Sequence, residues 1–205
     1  LMEAINLTKT GAYYDISFCV HKGECLGIFG PAGAGQNEIL RTVAGLQSYD
    51  KGQLIINGRK AGPKEPPHVR LNRGVGYFSG ETGKELFLNW SIAKNITILN
   101  IPKILRRLSR VISFKAERRL AEDIIKNLRI KAPGAHAECY SLSGGNKQKV
   151  SVGKWFERNP DLFLMEGPTI GIDVGAREDI YEATLQMKER GISMILVSDD
   201  PKEYT

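Results

Sequence analysis

Cysteine pairs, long apolar runs and aromatic residues are all scarce in this sequence. Its three cysteines, Cys19, Cys25 and Cys139, include no CxxC pair, and only 8% of its 205 residues are aromatic. An odd number of widely spaced cysteines supports neither a disulfide framework nor a zinc site, and favours a reducing, cytoplasmic compartment. No apolar stretch approaches the roughly 18 residues that a membrane-spanning helix needs, and the N-terminus shows no basic region followed by an apolar run. Any membrane association is therefore expected to go through a partner.

The composition is that of an ordinary globular protein. The chain is 41% hydrophobic and 25% charged, which places it far from the disordered class. Its length predicts one domain, or one domain with an inserted subdomain, that buries roughly 70% of its unfolded surface. Lysine and arginine outnumber aspartate and glutamate by 29 to 23. This excess favours an anionic partner such as a nucleotide, a nucleic acid or a membrane surface.

The first part of the chain predicts strands around one helix. Residues 15–20 alternate apolar and polar side chains, which indicates a half-buried strand at an antiparallel edge. Residues 25–29 form a short apolar run that predicts a strand covered on both faces. A helix is expected over residues 37–46. Strands are expected at 52–58, which ends in an Asn-Gly turn, and at 75–78.

A helical subdomain is predicted to be inserted at residues 81–141. Glu122 and Lys126 are spaced there for a favourable exposed ion pair on a helix. Apolar residues in this segment recur at a spacing of four: Ala116, Leu120, Ile124 and Leu128.

Helices and strands alternate after this insertion. Helices are predicted from about residue 146 and at 176–190, and strands at 162–165 and 192–197. Such alternation is typical of an α/β fold with a mostly parallel sheet and helices on both faces.

A glycine-rich segment has the context of a phosphate-binding loop. It follows the apolar strand at 25–29 and opens the predicted helix, so its backbone N–H groups and the helix start are suited to anions. A complete loop carries lysine where this chain has Gln36, and serine or threonine where it has Asn37. A unit charge about 4 Å from a phosphate contributes about 4 kcal/mol, against about 1 kcal/mol for a neutral hydrogen bond. Weak phosphate binding is therefore expected. The alternative is that a glycine-rich turn merely joins strand to helix.

The segment from Leu142 to Lys149 reads Leu-Ser-Gly-Gly-Asn-Lys-Gln-Lys. It closely resembles the LSGGQ-type signature of ABC transporter ATPases, in the asparagine-containing form that is common in sugar importers. Ser143 and the following two glycine amides would form an anion site at a helix start, suited to a γ-phosphate presented by another domain. The simpler alternative is that Ser143 only caps the helix.

The resemblance extends over nearly the whole chain. Residues 168–176 look like the D-loop of sugar-importer ATPases, with Asp173 as its acid, and the glycine loop ends at Glu38 as in that family. The pattern is most similar to the C-terminal nucleotide-binding domain of the double-domain subunits in ribose/galactose-type importers.

This resemblance implies a P-loop NTPase (RecA-like) core with a mostly parallel sheet, an antiparallel edge and the helical insertion at 81–141. The chain would be a single ABC-type nucleotide-binding domain and a fragment of a longer subunit. The resemblance implies an ABC-type ATPase activity coupled to transport, with ATP and Mg²⁺ as weakly bound cofactors. Implied partners are a second ABC ATPase domain, transmembrane permease subunits and, indirectly, a sugar-binding protein. This chain would lie in the cytoplasm at the inner face of the membrane, held there by the permease.

Several positions depart from the family pattern. Glu166 stands where the family has the aspartate that helps to hold Mg²⁺, and Gly167 where it has the water-activating glutamate. A shift by one residue would make Glu166 the base, but the ungapped match through Pro168 favours the first assignment. Asp199 stands at the position of the switch histidine, and Gly80 at that of the Q-loop glutamine. The chain's own site is therefore expected to be degenerate.

The candidate site residues fall into groups that the resemblance defines. The degenerate catalytic positions are Glu166, Gly167 and Asp199. The phosphate loop comprises Gly30, Pro31, Ala32, Gly33, Ala34, Gly35, Gln36, Asn37 and Glu38. The signature comprises Leu142, Ser143, Gly144, Gly145 and Asn146; the Q-loop is Gly80 and Glu81, and the D-loop acid is Asp173. The weak metal ligands would be Asn37 and Glu166.

Two other functions are compatible with these motifs. One is an active ATPase of a sugar or nucleoside importer, in which Lys147, Lys149 or another cation replaces the missing lysine. The other is a non-catalytic interaction module of a non-transport ABC protein. Seven basic residues between Lys103 and Arg119 would form a solvated helical face, a permease contact or a site for anionic headgroups. No nucleic-acid partner is expected, because no recognition module accompanies them.

Overall fold

A computed structural model describes residues 1–31, 33–105 and 111–198. The chain divides into two compact units. The first comprises Leu1–Phe78, Pro160–Gly167 and Lys188–Thr205, and the second comprises Ser79–Asn159 and Pro168–Met187. Asp199 and the central part of the basic segment, 106–110, lie outside the described residues.

The strands of the described residues all belong to the first unit. They are β1 (Met2–Lys9), β2 (Tyr13–Val20), β3 (Cys25–Ile28), β4 (Lys51–Ile56), β5 (Arg59–Lys60), β6 (Val75–Phe78), β7 (Leu162–Glu166) and β8 (Ser193–Val197). The α-helices are α1 (Gln36–Ala44), α2 (Pro67–Asn72), α3 (Thr82–Glu85), α4 (Ile92–Thr97), α5 (Ile101–Ile104), α6 (Phe114–Asn127), α7 (Gly144–Arg158) and α8 (Val174–Glu189). Short 3-10 turns occupy Ile98–Asn100 and Cys139–Ser141.

Two four-stranded sheets form the first unit. The antiparallel sheet has the order β2-β1-β4-β5, and the parallel sheet has the order β3-β8-β7-β6. The register of the parallel sheet pairs Phe78 with Met165 and Glu166 with Val197. Parallel pairing brings the C-terminal ends of these strands to one edge, where ligands bind in open α/β sheets. The predicted α/β fold with a mostly parallel sheet is confirmed, and its antiparallel part forms a sheet of its own.

The core of the first unit joins α1 to both sheets. Leu40 and Val43 of α1, Leu54 of β4 and Leu164 of β7 are all at most 1% exposed. Complete burial of such a side chain contributes about 1.5–3 kcal/mol relative to its exposure. This packing fixes α1, and therefore the loop that precedes it, against the end of the parallel sheet.

The prediction that residues 25–29 are covered on both faces is wrong. β3 pairs with β8 alone among the described strands, so it lies at the edge of the parallel sheet. One face of this segment packs against the core through Leu26 and Ile28, whereas Cys25 and Phe29 on the other face are exposed, the latter by 60%. A short apolar run indicates a strand, but it does not specify whether another strand or a helix covers each side.

The second unit is helical and contains the segment 81–141. α6 has Ser113 as its N-cap and buries Ala121 and Ile124. Of the predicted apolar set, Ile124 and Leu128 are buried, whereas Ala116 and Leu120 are only partly buried and Ala121, outside that set, is buried in their place. The predicted pair between Glu122 and Lys126 is wrong: Glu122 instead accepts a hydrogen bond of 2.7 Å from Arg118 Nε, one turn earlier. The unit also contains α7 and most of α8. In the part of the chain that the structure describes, no helix combines the length and hydropathy needed to cross a membrane.

Candidate functional site

The predicted phosphate loop follows β3 and ends where α1 begins. Gly35 precedes the helix with φ 97° and ψ 0°, a left-handed conformation that disfavours a side chain. A Cβ atom at Gly35 would also lie 2.4 Å from the carbonyl oxygen of Ala12, so this close approach requires glycine. Asn37 and Glu38 lie in the first turn of α1. Ala32 lies outside the described residues.

The side chain of Gln36 is held by the loop itself. Its Nε2 donates to the carbonyl oxygens of Gly30 at 3.2 Å and Pro31 at 3.1 Å, and the residue is only 5% exposed. The Oε1 atom is buried and has no hydrogen-bond partner among the described residues. The loop also turns at Gly33, with φ 81°, and closes with a 3.0 Å bond from the Ala34 N–H to the Pro31 carbonyl. Gln36 therefore places a neutral amide against loop carbonyls, where a complete loop has a cation for phosphate.

Glu166 is the acid at the end of β7, and both of its carboxylate oxygens accept hydrogen bonds. Arg41 of α1 donates from Nη2 to Oε1 at 2.5 Å and from Nε to Oε2 at 3.2 Å. The hydroxyl of Tyr77, in β6, donates to Oε2. The hydrogen bond with Glu166 raises the pKa of the Arg41 guanidinium, whereas burial and this acid together raise the pKa of the Tyr77 phenol. The carboxylate is thus neutralised by a side chain of its own unit.

Gly167 follows Glu166 with a backbone that suits glycine. Its φ is 52°, in the left-handed region, and its N–H donates to the carbonyl of Val197 at 2.8 Å. The residue therefore continues the pairing of β7 with β8 while the chain turns away. The catalytic position predicted here carries no side chain, and Asp199, at the predicted switch position, lies outside the described residues.

The Q-loop positions lie at the start of the second unit and contact α7. Gly80 has φ 71°, and its carbonyl accepts a 3.1 Å bond from Gln148 Nε2, which also donates to the Pro168 carbonyl at 2.9 Å. Glu81 forms an exposed ion pair with Lys84 at 2.8 Å. Gln148 is buried, so one α7 side chain holds two segments of the unit together.

A buried ion pair also joins α7 to the segment that follows the Q-loop positions. Lys154 of α7 contacts the Glu85 carboxylate at 2.7 Å and donates to the Glu85 carbonyl at 2.6 Å. The carboxylate also accepts bonds from the N–H and the hydroxyl of Ser79, both at 3.0 Å. The helix that begins with the signature is therefore anchored to the segment that carries the Q-loop positions.

The signature forms the start of α7. Leu142 is buried and Ser143 occupies the N-cap position. The Ser143 hydroxyl accepts a 2.8 Å bond from Asn146 Nδ2, and Asn146 Oδ1 in turn accepts a 2.8 Å bond from the Lys131 N–H. Asn146 therefore orients the serine, whose hydroxyl accepts no hydrogen bond from the backbone amides at the start of this 15-residue helix.

The two signature glycines differ in their surroundings. A Cβ atom at Gly145 would lie 2.5 Å from the Cβ of Ala176, so glycine is needed for the contact between α7 and the start of α8. A Cβ atom at Gly144 would meet no atom of the described residues within 4 Å. Gly144 therefore faces open space, and its lack of a side chain is not explained by packing within the unit.

The D-loop acid begins α8. Asp173 Oδ1 accepts a 2.9 Å bond from the Ala176 N–H, which is the arrangement of a helix N-cap. An open cavity of about 250 Å³ lies between the starts of α7 and α8. Its lining contains Lys131, Ser143, Gly145, Asn146, Lys149, Asp173, Gly175, Ala176 and Asp179.

The two lysines considered as substitutes for the missing loop lysine belong to the second unit, whereas the loop belongs to the first. Lys149 is buried and donates to the Arg129 carbonyl at 2.7 Å and to Asp179 at 3.0 Å. Lys147 lies over the ring of Tyr140, with Nζ 5.9 Å from the ring centroid. Both amines therefore have partners within the second unit.

Sequence patterns identify the loop and the signature, but they do not identify Arg41 and Tyr77 as residues of the site. Arg41 lies beyond the loop motif, on the helix that follows it, and Tyr77 lies on the strand beside β7. Their link to Glu166 depends on sheet order, which no local pattern encodes. The described residues contain no cluster of three or more histidine, cysteine, aspartate or glutamate side chains that could hold a metal ion.

Comparison with known proteins identifies relatives of the whole chain. The family model described as ABC transporter matches residues 13–170. The ribose import ATP-binding protein RbsA of Halalkalibacterium halodurans is 36% identical over 203 residues, covering 98% of this chain and 40% of that protein. The proteins of the same name from Bacillus licheniformis and Bacillus subtilis are 35% and 34% identical over 204 residues, covering 99% of this chain and 41% of each relative. The chain thus spans about two fifths of the length of the curated relatives it matches.

Solved structures share the fold. A dimeric bacterial ABC transporter cassette superposes with a TM-score of 0.81 at 20% identity, covering 98% of this chain and 89% of that one. A cassette dimer in a post-hydrolysis state, bound to ADP and Pi, gives a TM-score of 0.78 at the same identity, covering 98% and 89%. These similarities confirm the predicted P-loop NTPase fold.

Proposed function

The chain belongs to the ABC transporter family, and on that premise we propose that it is a nucleotide-binding domain of an importer for simple sugars. The observation that carries this proposal is the match over 98–99% of the chain to ribose import ATP-binding proteins. The proposed domain is a single ABC-type domain in which 81–141 is the helical insertion. It would act with a second ABC ATPase domain and a membrane permease at the cytoplasmic face, with the permease receiving sugar from a binding protein.

We further propose that this domain's own nucleotide site is degenerate. Gln36 directs its amide into the loop carbonyls, so the loop lacks the lysine charge that a triphosphate requires. Gly167 supplies no carboxylate to orient an attacking water. Each change removes a different requirement for hydrolysis, so the domain would bind ATP weakly and turn it over at or near background.

The signature, in contrast, is complete. The start of α7 presents backbone amides, the oriented Ser143 hydroxyl and an open Gly144, which together suit a phosphate group. A γ-phosphate bound to the partner domain is the proposed occupant, because a domain with a degenerate loop can still complete its partner's site. The domain would thus contribute to hydrolysis without performing it.

The test is sugar uptake by proteoliposomes that contain the complete subunit, of which this chain is a part, and its permease. Labelled ribose, galactose and a nucleoside are offered in turn with internal Mg-ATP. ATP-dependent uptake of a sugar supports the proposal. Uptake of the nucleoside alone favours the nucleoside importer, and ATP binding with no association to any permease favours the interaction module.

A further inference from the structure

A cluster of three side chains in the first unit occupies the position where the family pattern implies a metal. Glu166 is 7% exposed. Its carboxylate accepts two hydrogen bonds from the Arg41 guanidinium and one from the Tyr77 hydroxyl. One positively charged group therefore forms a hydrogen-bonded ion pair with the carboxylate. Two of the three bonds come from α1 and one from β6, and the accepting carboxylate belongs to β7.

The donor set at this position does not fit Mg²⁺. This ion requires near-octahedral oxygen coordination at about 2.0–2.1 Å and is held in proteins through one or two free carboxylates. Both oxygens of Glu166 are already hydrogen-bonded, and binding a dication there would require removal of Arg41 or its retention beside a like charge. Asn37, at the other predicted ligand position, provides a neutral amide in place of a hydroxyl.

The length of Glu166 explains why this contact exists. An aspartate at this position would be one methylene shorter, and its carboxylate would not reach Arg41 and Tyr77 with the same geometry. Arginine is well matched to such a contact, because its planar guanidinium binds a carboxylate through two parallel bonds and stays charged. The substitution from the family's aspartate therefore replaces a metal ligand by an internal ion pair.

We infer that Arg41 supplies the positive charge at Glu166 in place of a divalent cation, so that this chain binds nucleotide independently of Mg²⁺. The inference deepens the proposed function, and it rests on that function in taking a nucleotide as the ligand of the loop. It also assigns Arg41 and Tyr77 as positioning residues, which fix the carboxylate without contacting substrate.

The first experiment compares ATP binding with and without divalent metal. Isothermal titration of the full chain with ATP is carried out in 5 mM MgCl₂ and again in EDTA. The expected dissociation constants for the unchanged chain agree within about twofold, whereas Arg41→Met and Glu166→Asp should each bind ATP at least fivefold more tightly with Mg²⁺ than without it. Arg59→Met removes an exposed arginine of β5 and is the matched control. If the unchanged chain binds ATP tightly in MgCl₂ but not in EDTA, the inference is overturned, while the proposed nucleotide site stands.

A second readout does not depend on nucleotide. Mn²⁺ is added to the full chain without ATP, and the bound ion is measured by electron paramagnetic resonance. Mn²⁺ that is bound by the unchanged chain and lost in Glu166→Gln would overturn the inference. The absence of Glu166-dependent Mn²⁺ supports the replacement of the metal by Arg41. Titrations that detect no ATP binding would instead count against the proposed nucleotide site.

Discussion

The amide of Gln36 donates to the carbonyl oxygen of Gly30 across the turn of the phosphate loop, at 3.2 Å. The side chain at the position of the lysine in a complete phosphate loop is therefore hydrogen-bonded to backbone carbonyls of the loop itself. Among the described residues, the buried Oε1 of Gln36 accepts no hydrogen bond. The loop therefore retains the shape of a phosphate site without its charge.

Replacing Gln36 by lysine should tighten ATP binding at least tenfold, because the amine restores the phosphate cation. The measurement is isothermal titration with ATP. Gln36→Met, of similar volume and without donors, is the control and should bind no better than the unchanged chain. Equal affinities for the lysine and methionine variants would mean that the loop does not contact phosphate. ATP turnover should stay low in the lysine variant, since Gly167 is unchanged.

Gly167→Glu should destabilise the fold by about 1–2 kcal/mol, because φ is 52° and a side chain in this region contacts its own backbone. Urea denaturation gives the change in the free energy of unfolding. Gly167→Asn is the companion variant, and it should cost less because asparagine tolerates the left-handed region better than most residues. If neither variant lowers the free energy of unfolding, a side chain at this position causes no backbone strain.

The pair of Lys154 and Glu85 should be important for stability. Lys154→Met leaves a buried carboxylate without its cation, and we expect a loss of about 3–5 kcal/mol in the free energy of unfolding. Arg118→Ala, which breaks the exposed pair with Glu122, is the control and should produce no measurable change. A loss for Lys154→Met no larger than that of the control would argue against a buried pair.

Cys139 should resist alkylation while the protein is folded. Burial raises the pKa of its thiol to about 11, so little thiolate is present at pH 8.5. Because the folded-state pKa lies above the unfolded value, this thiol favours the folded state below the unfolded pKa, and the contribution is lost as pH rises through about 11. Mass spectrometry after iodoacetamide treatment should find Cys139 unmodified until denaturant is added, whereas rapid modification of the folded chain would contradict its burial.

Local sequence patterns predicted the helices and strands of this fold better than they predicted which elements lie beside each other. The period-two alternation over 15–20 and the apolar run of 162–165 identified two strands, because each depends on residues close in sequence. The exposure of one face of β3 was not predicted, because it depends on which distant elements pack against that face.

The same distinction holds at the candidate site. The loop around Gln36 and the signature around Ser143 are contiguous and carry recognisable spacing. The contact of Arg41 with Glu166 joins residues that are 125 positions apart, and that of Tyr77 with Glu166 spans 89. Such contacts arise from the packing of α1 and β6 against β7, so one sequence without a fold could not reveal them.

In the proposed function, the signature of this domain completes a partner's nucleotide site. Gly144→Asp adds an acid at a signature position with open space around it, whereas the same change at Gly145 would disturb packing against Ala176. Gly62→Asp is the matched control, because a Cβ atom there also meets no neighbour within 4 Å.

The decisive measurement is the rate of ATP hydrolysis by the complete subunit reconstituted with its permease, together with sugar uptake. With Gly144→Asp we expect both rates to fall at least tenfold, while ATP affinity of the isolated chain and both rates of the Gly62→Asp control stay unchanged. Hydrolysis and uptake that are unaffected by Gly144→Asp would contradict the claim.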